Sequence, residues 1–300
     1  MFFKNLQIYR LPAPWSMTAE RLAEYLVHQA FVPLSSNEVM RQGWVAPRSA
    51  GEPLVHSVNG QFLLSLKTET KVMPSAAVRA VVKVRADELE EQQGFRPGKK
   101  AMKDLQERVA DEMLPRAFSV PAITSVWIDP KNGWLVVDSA TVSRADDVVK
   151  MLLKAVDKIP LESLRVQRVP VAVMTGWLEA DQAPHGFMID QDATLRASGK
   201  SRAQVGYKSH TLEPDDVRRH IAAGKQCTRL AMTWNDRISF VLTDALAIKS
   251  VKPLDVIKEG YATVTLNDVE RFDSDFALMA GELAKLLADL VEALGGEARA

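Results

Sequence analysis

Apolar residues change their period several times along the chain, and the changes mark out its elements. Leu6, Ile8 and the Tyr-Arg-Leu of 9–11 alternate, predicting a first strand over 5–11 that Pro12 and Pro14 end. From Thr18 the spacing turns helical. Leu22, Tyr25, Leu26 and Ala30 share one side of a helix predicted over 18–31, with Thr18 as its cap. A loop holding Gly43-Trp44 then leads to a strand over 54–58. Asn59-Gly60 is the strongest hairpin signal in the sequence, and a strand over 61–72 returns with Phe62, Leu64 and Leu66 on one face.

The stretch from Pro74 to Phe118 breaks this β-rich pattern. Val78, Val81, Val82 and Leu89 fall on roughly one side of a helix that starts at Pro74-Ser75 and stops at Gly94. After the turn Arg96-Pro-Gly-Lys99-Lys100, a second helix places Met102, Leu105, Val109 and Met113 at steps of three and four. Each apolar stripe is wide enough to cover one partner helix and too narrow for a globular core. The pattern predicts an antiparallel helical arm that projects from the body.

Beyond the arm, strands over 122–128 and 134–138 flank a hairpin at Asp129–Gly133, and a helix over 144–159 buries Val148, Met151, Leu152, Ala155 and Ile159. A short strand over 164–169 and a helix over 171–179 follow. Strands over 187–195 and 204–212 bracket a basic loop. A helix starts at Pro214-Asp-Asp, its acids near its positive end. Strands over 226–234 and 237–242 turn about Asn235-Asp236, with further strands near Ala247 and Ala262. The longest helix, over 273–294, carries Phe276, Met279, Ala280, Leu283, Leu287, Leu290 and Leu294 on one side, a stripe that suits core packing or a dimer seam, and Gly295-Gly296 ends it.

Three segments, beginning at Asn59, Asn132 and Asn235, place a hairpin turn before an apolar strand. Duplicated βα units and repeated hairpin chemistry both produce that echo. The class is α+β, with antiparallel sheets, flanking helices and the projecting arm. The expected organisation is a central region over 1–73 and 117–160, the arm over 74–116, and a second region over 161–300.

Composition is that of an ordinary globular protein, 47% apolar and 25% charged. The single cysteine, Cys227, excludes an internal disulfide and fits a reducing compartment. The first ten residues lack a signal-peptide core, and the most apolar segment, 276–294, contains Glu282, Lys285, Asp289 and Glu292. A cytoplasmic protein is expected.

Formal net charge is zero, yet cations are unevenly placed. Residues 92–103 hold Arg96, Lys99, Lys100 and Lys103 with no carboxylate, and residues 193–210 hold Arg196, Lys200, Arg202 and Lys208, again with none. Such runs are ordinarily solvated surface. Two of them in turn-rich segments raise phosphate contact as a hypothesis.

Catalytic motifs are absent. Thr194–Ser201 ends in Gly-Lys-Ser but lacks the first glycine and the following helix of a phosphate-binding loop. His28, His56, His185, His210 and His220 show no metal-ligand spacing, and His28 reads as a partly buried structural side chain. Cys227, opening a strand, reads as a small core residue. Phe118, at the junction of helix end and strand, suits either the core or an interface anchor.

Several blocks, in order along nearly the whole chain, resemble the bacterial recombination-associated protein RdgC family. They are the run Phe3–Leu11, the Gly43-Trp-Val turn, Leu114-Pro-Arg-Ala-Phe-Ser119, Trp127-Ile-Asp with Asn132-Gly, Ala223-Gly-Lys, Trp234 with Arg237-Ile and Phe240-Val-Leu, and Arg271–Leu283 with Leu294-Gly-Gly-Glu. The resemblance implies a non-enzymatic homodimeric ring that encircles DNA. It implies binding to single- and double-stranded DNA without sequence preference, no cofactor, a place on the nucleoid and antagonism of the recombinase RecA. The Arg96–Lys103 turn falls where that family has a projecting finger, and Phe118 near its expected ring-closing contacts. The 193–210 cations match no motif of the family. An adaptor that grips a partner through the arm, and an enzyme whose site is scattered along the chain, are the competing readings.

Overall fold

The computed structural model describes the chain except residues 1, 200, 202, 260–266 and 299–300, so the strand expected near Ala262 lies outside the described residues. Among the described residues, the strands are β1 Leu6–Arg10, β2 Met40–Val45, β3 Val55–Val58, β4 Gln61–Lys71, β5 Ser119–Asp129, β6 Trp134–Asp138, β7 Glu162–Ser163, β8 Phe187–Ala197, β9 Gln204–Tyr207, β10 Lys225–Trp234, β11 Ile238–Thr243 and β12 Ile248–Pro253. The helices are α1 Ala19–Val27, α2 Ser75–Gln93, α3 Lys99–Met113, α4 Val142–Ala155, α5 Pro170–Ala180, α6 Pro214–Ala222, α7 Asp255–Glu259 and α8 Asp268–Ala293.

All these strands join one antiparallel sheet, in the order β2-β4-β5-β6-β1-β12-β11-β10-β8-β9, with β3 beside β4 and β7 beside β1. Alternation along the central strands feeds two cores. On β4, β5 and β6, Leu63, Trp127, Trp134 and Val136 point to one face, while Phe62, Leu64, Val126, Ile128, Leu135 and Val137 point to the other. Helices α1 and α4 cover the second face through Leu22, Leu26, Val148 and Leu152. Helices α5, α6 and α8 cover the first through Met174, Val217 and the buried stripe Phe276, Met279, Leu283, Leu286, Leu287 and Leu290. Each such side chain contributes about 1.5–3 kcal/mol of burial.

Polar anchors orient α8. Asn267 and Glu270 form a reciprocal capping box at its start. Glu282, 5% exposed, accepts two hydrogen bonds from the Arg237 guanidinium at 2.6 and 3.0 Å, and Trp234 Nε1 donates to Asp289 at 2.7 Å. On β12, β11, β10 and β8 the face away from α8 is open, and Asp190, Arg229, Ser239 and Lys252 border a depression of ≈ 660 Å³ there.

Several expectations are corrected. The separate sheets are one sheet. Gly43-Trp44 belongs to strand β2 and not to a loop, because the chain after α1 runs beside it: Phe31 N donates to Trp44 O and Trp44 N to Gln29 O, both at 2.9 Å. That edge contact ends α1 at Val27, short of Phe31. Pro74, not Ser75, holds the N-cap position of α2. Residues 164–169 are not a strand; Val166 makes one bridge to Glu297, and the short β7 precedes it. The helix expected over 144–159 is α4, which starts and stops earlier, and β9 ends at Tyr207 and not at Leu212.

A Cβ at Gly43 would lie 2.3 Å from Phe31 Cα and 2.6 Å from its nitrogen. The backbone on both sides is hydrogen-bonded and has nowhere to go. Gly43→Ala is expected to cost about 1–3 kcal/mol of stability, read as a lower urea midpoint with unchanged slope.

Candidate nucleic-acid interface

Helices α2 and α3 form the packed pair that the periodicity predicts. Val78, Val82, Ala86 and Val109 are buried where α2 and α3 meet, with Met102, Leu105 and Met113 half-buried beside them. This cluster is separate from both sheet cores. Gly94 stops α2 in the left-handed conformation, at φ 76°, which a glycine adopts without strain. At 1.5 Å per residue, the nineteen residues of α2 reach about 28 Å. An ion pair between Arg85 and Glu112 ties the two helices, and hydrogen bonding from Arg85 holds the Glu112 carboxyl below its usual range. At the root, Lys71 Nζ donates to Ser36 O at 2.6 Å and Leu114 O at 2.7 Å.

Along the arm, from the first turns of α2 to the connecting turn, Arg79, Lys83, Arg96, Lys99 and Lys103 line a groove of ≈ 560 Å³ floored by Val82, Ala86, Pro97 and Met102. No carboxylate lines it. Lys103 pairs with Glu107 at 3.6 Å, and both side chains are exposed. Lys100 is exposed on the first turn of α3, outside the groove lining. Arg79 and Lys83 are absent from the tip run read in the sequence. Their signal was the four-residue spacing, which places both on one side of α2, opposite Lys99 and Lys103 at the same spacing on α3. Finding it needed the two helices docked in register.

The second cationic run is elsewhere. Arg196, near the end of β8, is exposed, with a nitrogen 3.4 Å from Gln204 Oε1, and Lys208 is exposed just past β9. Lys200 and Arg202 lie outside the described residues. Strands β8 and β9 end the sheet opposite the β4–β5 side from which the arm springs, so the sheet does not bring the two runs together.

Phe118 is 87% exposed, so the core alternative is excluded. Its backbone is nonetheless held, because Val72 N donates to Phe118 O at 2.8 Å and Lys71 pairs with Ser119. Alternation puts Val72, Phe118 and Val120 on one sheet face with Met40, which shares Thr70 as a pairing neighbour with Val120. Those three neighbours are 48–54% exposed. Beside the ring opens a pocket of ≈ 340 Å³ lined by Met73, Val81, Val109, Met113, Arg116 and Ala117 among others. Knob and hollow share one patch at the arm's root.

The remaining reactive groups are accounted for locally. Burial pushes the Cys227 thiol up to about 12, which keeps it protonated and inert. His28 is exposed, correcting the partly buried reading, since α1 ends just before it. His56 Nε2 lies 2.9 Å from Asp273 Oδ1, with Phe272 edge-on at 5.2 Å, and joins β3 to α8. Burial raises the Asp190 carboxyl although the Thr233 hydroxyl donates to it. Among the described residues, no group of three or more His, Cys, Asp or Glu is placed to hold a metal ion, and no helix is long and apolar enough to cross a membrane.

Fold and site define an α+β protein in which one broad antiparallel sheet carries a helical arm with a cationic groove along it. The family model described as "RdgC: Putative exonuclease, RdgC" matches residues 1–297. The chain is 62% identical over 297 residues to the "Recombination-associated protein RdgC" of Janthinobacterium sp. (strain Marseille), covering 99% of each chain. It is 60% identical over 297 residues to the protein of that name from Herminiimonas arsenicoxydans, again covering 99% of each, and 55% identical over 300 residues to that from Cupriavidus necator, covering both chains fully. The chain belongs to the RdgC family, whose named members are recombination-associated.

Proposed function

We propose that this protein binds DNA without sequence preference, as a homodimeric ring that encircles duplex and limits the access of RecA, and that it does so without cutting the strand. The observation that carries the reading is the five-cation groove along an arm that is nearly neutral as a whole. A phosphate backbone meets such a groove by charge alone, releasing counterions and needing no base contact. In this reading residues 74–116 form a DNA-contacting unit, carried on a body made of 1–73 with 117–160 and of 161–300. Arg96, Lys99, Lys100 and Lys103 contact phosphate, while Arg196, Lys200, Arg202 and Lys208 offer a second contact at the far end of the sheet. Single strands bind by the same chemistry, and the protein resides on the nucleoid.

The Phe118 patch supports the dimer. A protruding ring beside a mainly apolar hollow, bordered by the Arg85–Glu112 ion pair and Arg116, is self-complementary across a two-fold axis, each ring seating in the other copy's hollow. Topology then supplies residence time that a chain of zero net charge cannot draw from electrostatics. The adaptor reading keeps one observation in its favour, the apolar floor of the groove, which would equally suit a protein partner.

Encirclement is tested by loading the protein on closed circular duplex and then linearising it. Retention on the circle and release after the cut is the expected result; equal release from both forms would overturn the ring. Incubation of the same DNA with Mg²⁺ or Mn²⁺ leaves it intact in this reading, and strand degradation that purifies with the protein would return the exonuclease description of the family model.

A further inference from the structure

We infer that the arm's tip is a single-strand subsite in which Phe95 stacks on a nucleobase while the groove cations hold the flanking phosphates; this deepens the DNA-binding reading above and rests on it. Phe95 is 64% exposed, in the turn between α2 and α3, immediately after the αL residue Gly94 and immediately before Arg96. It is not part of the arm's buried cluster, which is built from Val78, Val82 and Val109 with half-buried methionines, leucine, valine and alanine. A large aromatic at the end of a helical hairpin leaves most of its surface in water in the free protein. It is also surrounded in sequence by cations, with Arg96, Lys99, Lys100 and Lys103 following it and no carboxylate between 92 and 103.

Single-strand binding surfaces combine two parts, a cationic groove that tracks the backbone and an aromatic face for an unstacked base. Both parts are adjacent here. The groove's ≈ 560 Å³ and its floor of Val82, Ala86, Pro97 and Met102 accommodate sugar and phosphate, with Arg79, Lys83, Arg96, Lys99 and Lys103 at its walls. A duplex can use the same cations, because its phosphates face outward. Its bases are stacked and paired, so it offers Phe95 no free π-face at the cost of the cations alone. Stacking therefore adds affinity for the single strand and none for intact duplex. That difference separates this subsite from plain charge attraction, which would favour the more densely charged duplex.

The test uses the full chain with a single-stranded oligonucleotide carrying one 2-aminopurine and a blunt duplex of equal length. Binding quenches the 2-aminopurine fluorescence as the probe base stacks on Phe95. Phe95→Leu, which keeps an apolar side chain and removes the ring, is expected to lose that quenching and about 5- to 150-fold in single-strand affinity, the range for one lost base–aromatic stack. Duplex affinity stays at the parental value, and Phe95→Tyr restores both single-strand signals. Equal losses on both DNA forms, or parental quenching in Phe95→Leu, would overturn the stacking subsite while leaving DNA masking in place. Failure of the unaltered protein to bind either DNA overturns DNA masking and the subsite together. A polyglutamate peptide that occupies the groove and displaces the oligonucleotide with parental affinity in Phe95→Leu would reassign the groove to an acidic protein partner.

Discussion

In the homodimer proposed above, replacing Phe118 by alanine is expected to raise the dissociation constant about a thousandfold in equilibrium sedimentation, without lowering the stability of the separated chain. The two halves of that result have different causes. A side chain that is 87% exposed makes almost no contribution to the fold of its own chain, so its truncation leaves no cavity. In a two-fold contact it is lost twice. Anchors of this kind are worth about 2 kcal/mol or more each, so two lost anchors amount to about 4 kcal/mol, close to three powers of ten. Val72, Val120 and Met40 remain as a rim and keep residual affinity. In the proposed ring the variant is also expected to escape from closed circular DNA, since an opened ring has an exit. A Phe118→Ala protein that stays dimeric at the parental constant would remove the root patch from the interface.

If the arm contacts phosphate as proposed, alanine at Arg96, Lys99, Lys100 and Lys103 is expected to weaken binding to every duplex sequence by the same factor. The measurement is a salt series. Each phosphate contact contributes about 0.9 to the slope of log K against log salt, so four lost contacts flatten it by about 3.6 for each engaged arm. Adding Arg79→Ala and Lys83→Ala flattens it further, because both line the same groove. The four-site variant keeps its fold, since its side chains are exposed and the arm is held by Val78, Val82 and Val109. A parental slope in the variant would move the DNA contact off the arm and favour the adaptor.

Legibility in the sequence followed how local each determinant is. The arm was readable because two narrow stripes, Gly94 and Pro97-Gly98 are all contiguous signals. The hairpins at Asn59-Gly60, Asp129–Gly133 and Asn235-Asp236 were readable for the same reason, and the structure has all three turns. Strand β2 was not readable. Its glycine lowers strand propensity, and the reason for that glycine is the backbone of 29–31, which only the folded chain brings alongside. The fusion of both halves into one sheet was equally hidden, because it depends on β1 pairing with β6 on one side and with β12, some 240 residues later, on the other. At the candidate site, the tip cations were visible as an acid-free run, but Arg79 and Lys83 joined them only through helix docking. Phe118 was visible as a junction residue. Its exposure was not, since alternation alone cannot say whether a face is covered.

The packing of the chain's first residues in one core with its last helix has a consequence for how the chain is made. The core under α1 and α4 draws its side chains from residues 11–159, so all of it has been synthesised when barely half the polypeptide has left the ribosome. The larger core cannot close then. Phe3 and Leu6 belong to it beside Met279, Leu283 and Leu290, and Phe3 N donates to Met279 Sδ at 3.3 Å. One face of the nascent central strands, with Leu63, Trp127, Trp134 and Val136, therefore waits uncovered until translation reaches α8. Vectorial synthesis leaves this protein with a half-clad sheet, the kind of surface chaperones hold.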